Sequence, residues 1–226
     1  MSNFLKLLIM NKKEIAKALL SAGAVKFFPN PKDAITFKSG IKSPIYCNNR
    51  EMTKSPDCYN IILNDFMEAV NAMWDEYDSH AEITIVGVPM GALFWASCIA
   101  FDFGAGYAFV RQEAKDHGMK TKIDGHPLGE GTKVIIIEDL ISTGGSCLEV
   151  VEAVRATGAE VLGVVAIVTY GWPKTTKRFE DAGVKLKTLT DYATIVRAGT
   201  EMKLFSAEDG AVLENWHHAP ENWGQL

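Results

Sequence analysis

Val134-Ile135-Ile136-Ile137-Glu138-Asp139-Leu140-Ile141-Ser142-Thr143-Gly144-Gly145-Ser146 reads as a buried strand, then two acids, then a small-residue loop that opens a helix. Val134 to Ile137 are β-branched without polar alternation, the pattern of a central parallel strand covered on both faces. Thr143 to Ser146 is a turn of little bulk and several hydroxyls. From Cys147 to Ala156, Leu148, Val151 and Val154 recur at helical spacing.

A strand that feeds a glycine loop and then a helix makes an anion site. The amides of the helix's first turn point outward, and the helix dipole favours negative charge there. No Lys follows the glycines, so the stretch is not a Walker loop. Glu138 and Asp139 would repel a phosphate unless they serve something else, and a sugar diol or the water shell of Mg2+ suits them. On a strand, consecutive residues face opposite ways; at a strand end the backbone turns, and both acids are placed to reach a ligand. The alternative is that they cap a helix or are solvated.

Working outward, strands alternate with helices. Helices are expected at Glu14 to Ala22, Pro56 to Tyr77, Gly91 to Phe103, Lys174 to Ala182 and Asp191 to Ala198. Strands are expected at Ile83 to Gly87, Tyr107 to Val110, Val161 to Thr169 and Val184 to Leu189. This order implies an α/β fold with a mainly parallel central sheet flanked by helices. Residues 24–48 lack intervening helices and read as a small N-terminal antiparallel hood. Residues 111–127 are polar and aperiodic, which suggests a functional loop. A tail, residues 201–226, adds a helix and the group Trp216, His217, His218 and Trp223. His217-His218 reads either as a metal pair or, more plainly, as part of a cap or dimer edge. Residues 1–9 read as an extension ahead of a helix that starts near Met10. The whole, 1–226, is expected to be a single domain, with ligands gathering at the carboxyl ends of the strands.

The 226 residues are 47% hydrophobic, enough for a sizeable core, and carry a formal net charge of −5. That balance argues against a nucleic-acid or anionic-membrane binder. Phe4 to Ile9 is too short to span a bilayer, and the charges Lys12 and Lys13 follow rather than precede it, unlike a signal peptide. Cys47, Cys58, Cys98 and Cys147 show no metal-ligand spacing, which points to free thiols and a cytoplasmic setting. Cys147, beside the glycine loop, is either a small packing residue or a redox-sensitive thiol.

The Glu138–Ser146 stretch resembles the signature of the type I phosphoribosyltransferases, which grips 5-phosphoribosyl 1-pyrophosphate (PRPP). Arg111-Gln112-Glu113-Ala114-Lys115-Asp116-His117-Gly118 looks like the catalytic loop of the orotate phosphoribosyltransferase family. Phe37-Lys38-Ser39-Gly40-Ile41-Lys42-Ser43-Pro44-Ile45-Tyr46 looks like that family's orotate segment. Three motifs in order, within roughly Ile15 to Val196, identify the chain as a member of that family.

The resemblance implies a Mg2+-dependent transfer of the phosphoribosyl group from PRPP to N1 of orotate, in a homodimer whose catalytic loop works across the interface. It implies that Lys115 and His117 neutralise the departing pyrophosphate with Arg111. Glu138 and Asp139 would meet the ribose hydroxyls or hydrated Mg2+, with Asp139 also catalytic. Leu140, Ile141, Ser142, Thr143, Gly144, Gly145 and Ser146 would hold the 5′-phosphate. Lys38, Tyr46 and Ser142 would meet orotate, Lys38 through the carboxylate and Tyr46 by stacking. Without the resemblance, the loop charges read equally as a solvated surface and Tyr46 as a half-buried strand aromatic.

Three positions depart from the family pattern. Gln112 stands where many relatives have Lys, Val88-Pro89-Met90-Gly91 lacks a Tyr-Lys pair, and Tyr170 stands where many have Arg. Arg50 is a candidate to compensate for one missing cation. Two other readings stay open: a phosphoribosyltransferase for another base, and a non-catalytic PRPP sensor. The first has no need of Lys38, and the second no need of Lys115 and His117.

Overall fold

The computed structural model describes residues 3–37, 40–77, 82–111 and 123–223, with side chains from residue 11 onward. The chain forms two compact units. One comprises residues 1–62, 168–172 and 190–226; the other comprises 63–167 and 173–189.

In chain order the elements are helix α1 (Asn3–Ser21) and strands β1 (Val25–Phe27), β2 (Ile35–Thr36), β3 (Lys42–Ser43) and β4 (Ile45–Cys47). A 3-10 helix (Asn49–Lys54) leads into α2 (Pro56–Asp75), β5 (Ile83–Gly87), α3 (Leu93–Phe103), β6 (Gly106–Val110) and β7 (Ile123–Gly125). Then come β8 (Lys133–Ile141), α4 (Gly145–Arg155), β9 (Glu160–Thr169), α5 (Pro173–Asp181), β10 (Leu186–Asp191), α6 (Tyr192–Glu201) and α7 (Ala207–His218).

The six-stranded sheet has the order β10-β9-β8-β5-β6-β7. β5 pairs parallel with both β6 and β8, and β7 joins the edge antiparallel to β6. The apolar run predicts the centre of this sheet correctly: Val134 to Ile137 are fully buried, as are Val164 to Ile167 of β9. Burying each Val or Ile among them contributes on the order of 1.5–3 kcal/mol before entropy is charged. On α2, Ile62, Phe66 and Val70 are buried, while Ile61 is 41% exposed. Ala69 and Met73 complete the buried stripe in its place.

The hood is antiparallel, as expected. β1 lies against β4 with Lys26 opposite Tyr46, and β2 lies against β3 with Thr36 opposite Lys42. In the same unit, α1 lies along α6. The ammonium of Lys12 pairs with the Asp191 carboxylate at 2.9 Å, and the Thr190 hydroxyl donates to the Lys12 carbonyl at 2.8 Å. Asp191 also caps α6, accepting from the Thr194 amide at 2.9 Å.

Three expectations are corrected. α1 begins at Asn3 rather than near Met10. The polar stretch 111–127 is not all loop, because Ile123–Gly125 forms β7. Glu138 and Asp139 do not follow β8 but lie within it, since the strand runs on to Ile141. Among the described residues no helix is long and apolar enough to cross a membrane.

Candidate active site

β8 continues past its acids, and the two carboxyl groups stay in contact with each other. Glu138 turns inward and is 4% exposed, its carboxylate accepting from the Asp139 amide at 2.8 Å. Burial, and then the negative charge of Asp139, push the Glu138 carboxyl well above the ordinary carboxylate range. Asp139 is half-buried, and its carboxyl lies within hydrogen-bonding reach of the Glu138 carboxyl. Its carboxylate lies across the backbone of Gly91 at the start of the segment leading into α3. A Cβ at Gly91 would fall 1.9 Å from Asp139 Oδ2, so only glycine permits this approach. The amide of Val88 donates to the Ile137 carbonyl at 3.0 Å, which carries the β5–β8 pairing up to this point.

Beyond β8, Ser142 and Thr143 are half-buried and Ser146 is exposed. Ile141 is buried, so its backbone is the part it can offer a ligand, while Leu140 is half-buried. The turn is made by Gly144 at φ +75°, in the left-handed region, where a Cβ would strike the Phe179 ring at 2.6 Å. α5 fixes the loop from one side. The Thr175 hydroxyl donates to the Ser142 carbonyl at 2.8 Å, and the Arg178 guanidinium to the Thr143 carbonyl at 2.7 Å. Two loop carbonyls are thereby occupied, and carbonyls turned toward α5 do not repel an anion on the amide side.

Gly144 is the N-cap residue of α4 and no side chain caps that end. The helix therefore keeps first-turn N–H groups available to an anion. Cys147, in that first turn, is fully buried, and burial followed by the nearby Glu138 charge drives its thiol pKa well up. A buried thiol held protonated is a packing group, not a reactive one. Arg111, at the end of β6, pairs through Nε with Asp124 Oδ2 at 2.8 Å. Arg111, Glu138, Asp139 and the loop from Leu140 to Ser146 thus lie in one unit, on β6, β8 and the start of α4.

Tyr46 lies in the other unit, half-buried on β4 beside the buried Ile45 and Cys47. Arg50, the candidate spare cation, is exposed, and its Nε donates to the Asn48 side-chain oxygen at 3.3 Å. Lys38, Gln112, Lys115 and His117 lie outside the described residues.

Tyr170 is 1% exposed and sits in an aromatic cluster rather than facing a ligand. It stacks on Trp172 with ring centroids 5.1 Å apart and meets Trp216 edge-on at 5.6 Å. Burial raises its phenol well above the ordinary range. His217 stacks on Tyr192, with centroids 4.6 Å apart, and its Nε2 lies against the Tyr170 carbonyl. A carbonyl only accepts, so Nε2 is the protonated nitrogen and is engaged here rather than turned to a metal. Among the described residues no group of three or more His, Cys, Asp or Glu could hold a metal ion.

Sequence reasoning missed Asp124, Thr175, Arg178 and Phe179, and it singled out Gly91 only as part of the Val88-Pro89-Met90-Gly91 stretch, not for its approach to Asp139. Thr175 and Phe179 carried a signal, since they lie four apart on α5 and share its buried face. The others act through contacts between segments distant in sequence.

A profile of the phosphoribosyl transferase domain matches residues 59–202. The orotate phosphoribosyltransferase of Enterococcus faecalis is 42% identical over 213 residues, which cover 94% of this chain and 98% of that one. Among solved structures, Leishmania donovani UMP synthase superposes with a TM-score of 0.71 at 25% identity. That match covers 92% of this chain but 42% of the longer neighbour, so this chain spans less than half of it. The orotate phosphoribosyltransferase of Aeropyrum pernix gives a TM-score of 0.66 at 24% identity, covering 81% of this chain and 96% of that one.

Proposed function

Because the chain belongs to the orotate phosphoribosyltransferase family, we propose that it transfers the 5-phosphoribosyl group of PRPP to N1 of orotate, giving orotidine 5′-monophosphate and pyrophosphate in de novo pyrimidine (UMP) synthesis. The observation that carries the reading is the pairing, at the end of β8, of an uncapped helix N-terminus with a carboxylate aimed across Gly91. The first suits the 5′-phosphate and the second the ribose diol of the same ligand.

In this reaction the bond from the anomeric carbon to pyrophosphate breaks, with the electron pair leaving on oxygen, as the bond to N1 forms and the N1 proton is lost to the pyrophosphate or to solvent. The sugar passes through an oxocarbenium-like state while several negative charges depart. Fixed charges and a fixed grip on the 5′-phosphate therefore do most of the work. The amides of Gly145 and Ser146 grip the phosphate, held in place from α5 by Thr175 and Arg178. Asp139 orients the ribose. Arg111, with Lys115 and His117, balances the pyrophosphate. Lys38 and Tyr46 receive the orotate.

Mg2+ fits this donor set. The ion commonly takes one or two carboxylates, keeps several waters and takes the rest from substrate phosphates. Asp139 would hold it through water, and the ion would supply positive charge to the leaving group. Glu138, buried against the amide of Asp139, would act behind Asp139.

The functional form is a homodimer. An exposed apolar face supports this: Phe101 is 90% exposed and Phe94 36% on α3, with Met90 68% exposed just before it. Such surface is what two copies bury. The four free cysteines support a reducing, cytoplasmic setting.

The test is loss of orotate absorbance on mixing the protein with orotate, PRPP and Mg2+, with uracil, hypoxanthine and adenine assayed in parallel. Orotate alone should turn over. Turnover of another base, or PRPP binding without turnover, would overturn the assignment.

A further inference from the structure

The ion pair between Arg111 and Asp124 points to a role for a residue that has no part in the motifs. β6 and β7 pair antiparallel, with Phe109 opposite Asp124 and Val110 opposite Ile123. Arg111 lies two residues beyond Phe109 and shares its face, so Asp124 is its diagonal neighbour across the ladder. Their side chains are 15% and 35% exposed, with Nε 2.8 Å from Oδ2. A pair withdrawn this far from solvent is screened less than one on the open surface.

An arginine serves a phosphate through a flat guanidinium whose donors must be presented in a fixed plane. Its long stem works against that, because a flexible side chain loses rotamer entropy on binding. A carboxylate anchored on the neighbouring strand removes that cost before the ligand arrives. Asp124 itself is ill suited to meet pyrophosphate, since two anions would repel. The β6–β7 ladder does not need the ion pair to hold its register, because backbone bonds already do that.

We propose that Asp124 is a positioning residue for the pyrophosphate end of PRPP and acts wholly through Arg111. This rests on the functional reading above, in which Arg111 meets PRPP. Asp124 holds the guanidinium at the mouth of β6, so Arg111 meets its ligand already oriented. The length of the acid side chain matters less than its charge.

The experiment is a double-mutant cycle on the full-length protein, reading KM for PRPP, KM for orotate and the inhibition constant of pyrophosphate. Asp124→Ala and Asp124→Asn should each raise the PRPP KM and the pyrophosphate constant about tenfold, the worth of one charge-assisted contact. Orotate KM should not move, and Asp124→Glu should recover most of the loss. In an Arg111→Ala background, Asp124→Ala should add nothing further. If Asp124→Ala does not fold, Asp124→Asn, which keeps the shape, carries the measurement. An unchanged PRPP KM in the Asn variant would overturn the proposal, as would an Asp124→Ala effect that adds in full to that of Arg111→Ala. Wild-type protein that leaves orotate untouched would instead sink the functional reading. Pyrophosphate binding by calorimetry on the same variants would then still decide the coupling.

Discussion

The indole N–H of Trp216 donates to the backbone carbonyl of Lys42 at 2.8 Å. It ties α7 to β3. The Trp216 ring also meets Phe37, with centroids 6.4 Å apart. One buried side chain on α7 thus touches two residues, Phe37 and Lys42, of the stretch that resembles the orotate segment.

Trp216→Phe should therefore weaken orotate recognition more than PRPP recognition. It removes the donor but keeps an aromatic ring. The stability cost should be about 1–3 kcal/mol, that of a polar group left unsatisfied. We expect a several-fold rise in orotate KM with PRPP KM unchanged, measured beside the urea midpoint. Equal rises in both constants would make Trp216 a general packing residue.

Gly91→Ala tests the approach of Asp139. The added methyl would meet the free end of a side chain, so the carboxylate can swing away while the fold stays intact. We expect the melting temperature to change by less than about 3 °C. PRPP KM should rise about tenfold, as for loss of one charged contact, with a higher Mg2+ requirement. A variant with native PRPP affinity would show that Asp139 does not act from this position.

Glu138→Gln tests the inward acid through pH. The folded carboxyl sits well above its ordinary value of 4.5, through burial first and then Asp139. A raised folded pKa favours the fold while the group is protonated. That contribution is complete below about 4.5 and is lost as pH rises through the folded value. Glutamine has no charge to bury. Urea midpoints of the two proteins should converge in acid, and the variant should gain the advantage as pH rises. Parallel pH profiles would mean that Glu138 is ionised in the fold.

Lys115→Ala should lower kcat about 100-fold with a modest change in PRPP affinity, if its contact tightens in the transition state. Mixing this variant with Asp139→Asn tests the shared loop. Random pairing makes half the dimers mixed, each with one intact site, so about a quarter of wild-type activity should return. No recovery would place loop and acid in the same subunit's site.

How far the chain can be read from sequence depends on the range of the contact involved. Val134 to Ile137 announce a central strand because burial on both faces leaves a continuous apolar run. β7 sends no such signal: its three residues, Ile123, Asp124 and Gly125, belong to the sheet only because β6 offers an edge to pair with. Glu138 and Asp139 are legible as a pair of acids, but that Glu138 is buried and Asp139 only half-buried depends on what packs against the strand. Tyr170 shows the limit of reading a residue by its position in a pattern. The place held by Arg in many relatives is here part of an aromatic core built with Trp172, Tyr192 and Trp216, and α7 supplies that core's last member from nearly fifty residues away.

β8 runs between β5 and β9 and carries Asp139 and the loop proposed to hold the phosphate at its end. Amides in the middle of such a strand exchange their hydrogens with solvent only when the whole domain opens. The scaffold under the phosphate loop therefore has no private route to melting. As denaturant is added, phosphate binding should persist until secondary structure itself collapses, and both should vanish along one curve.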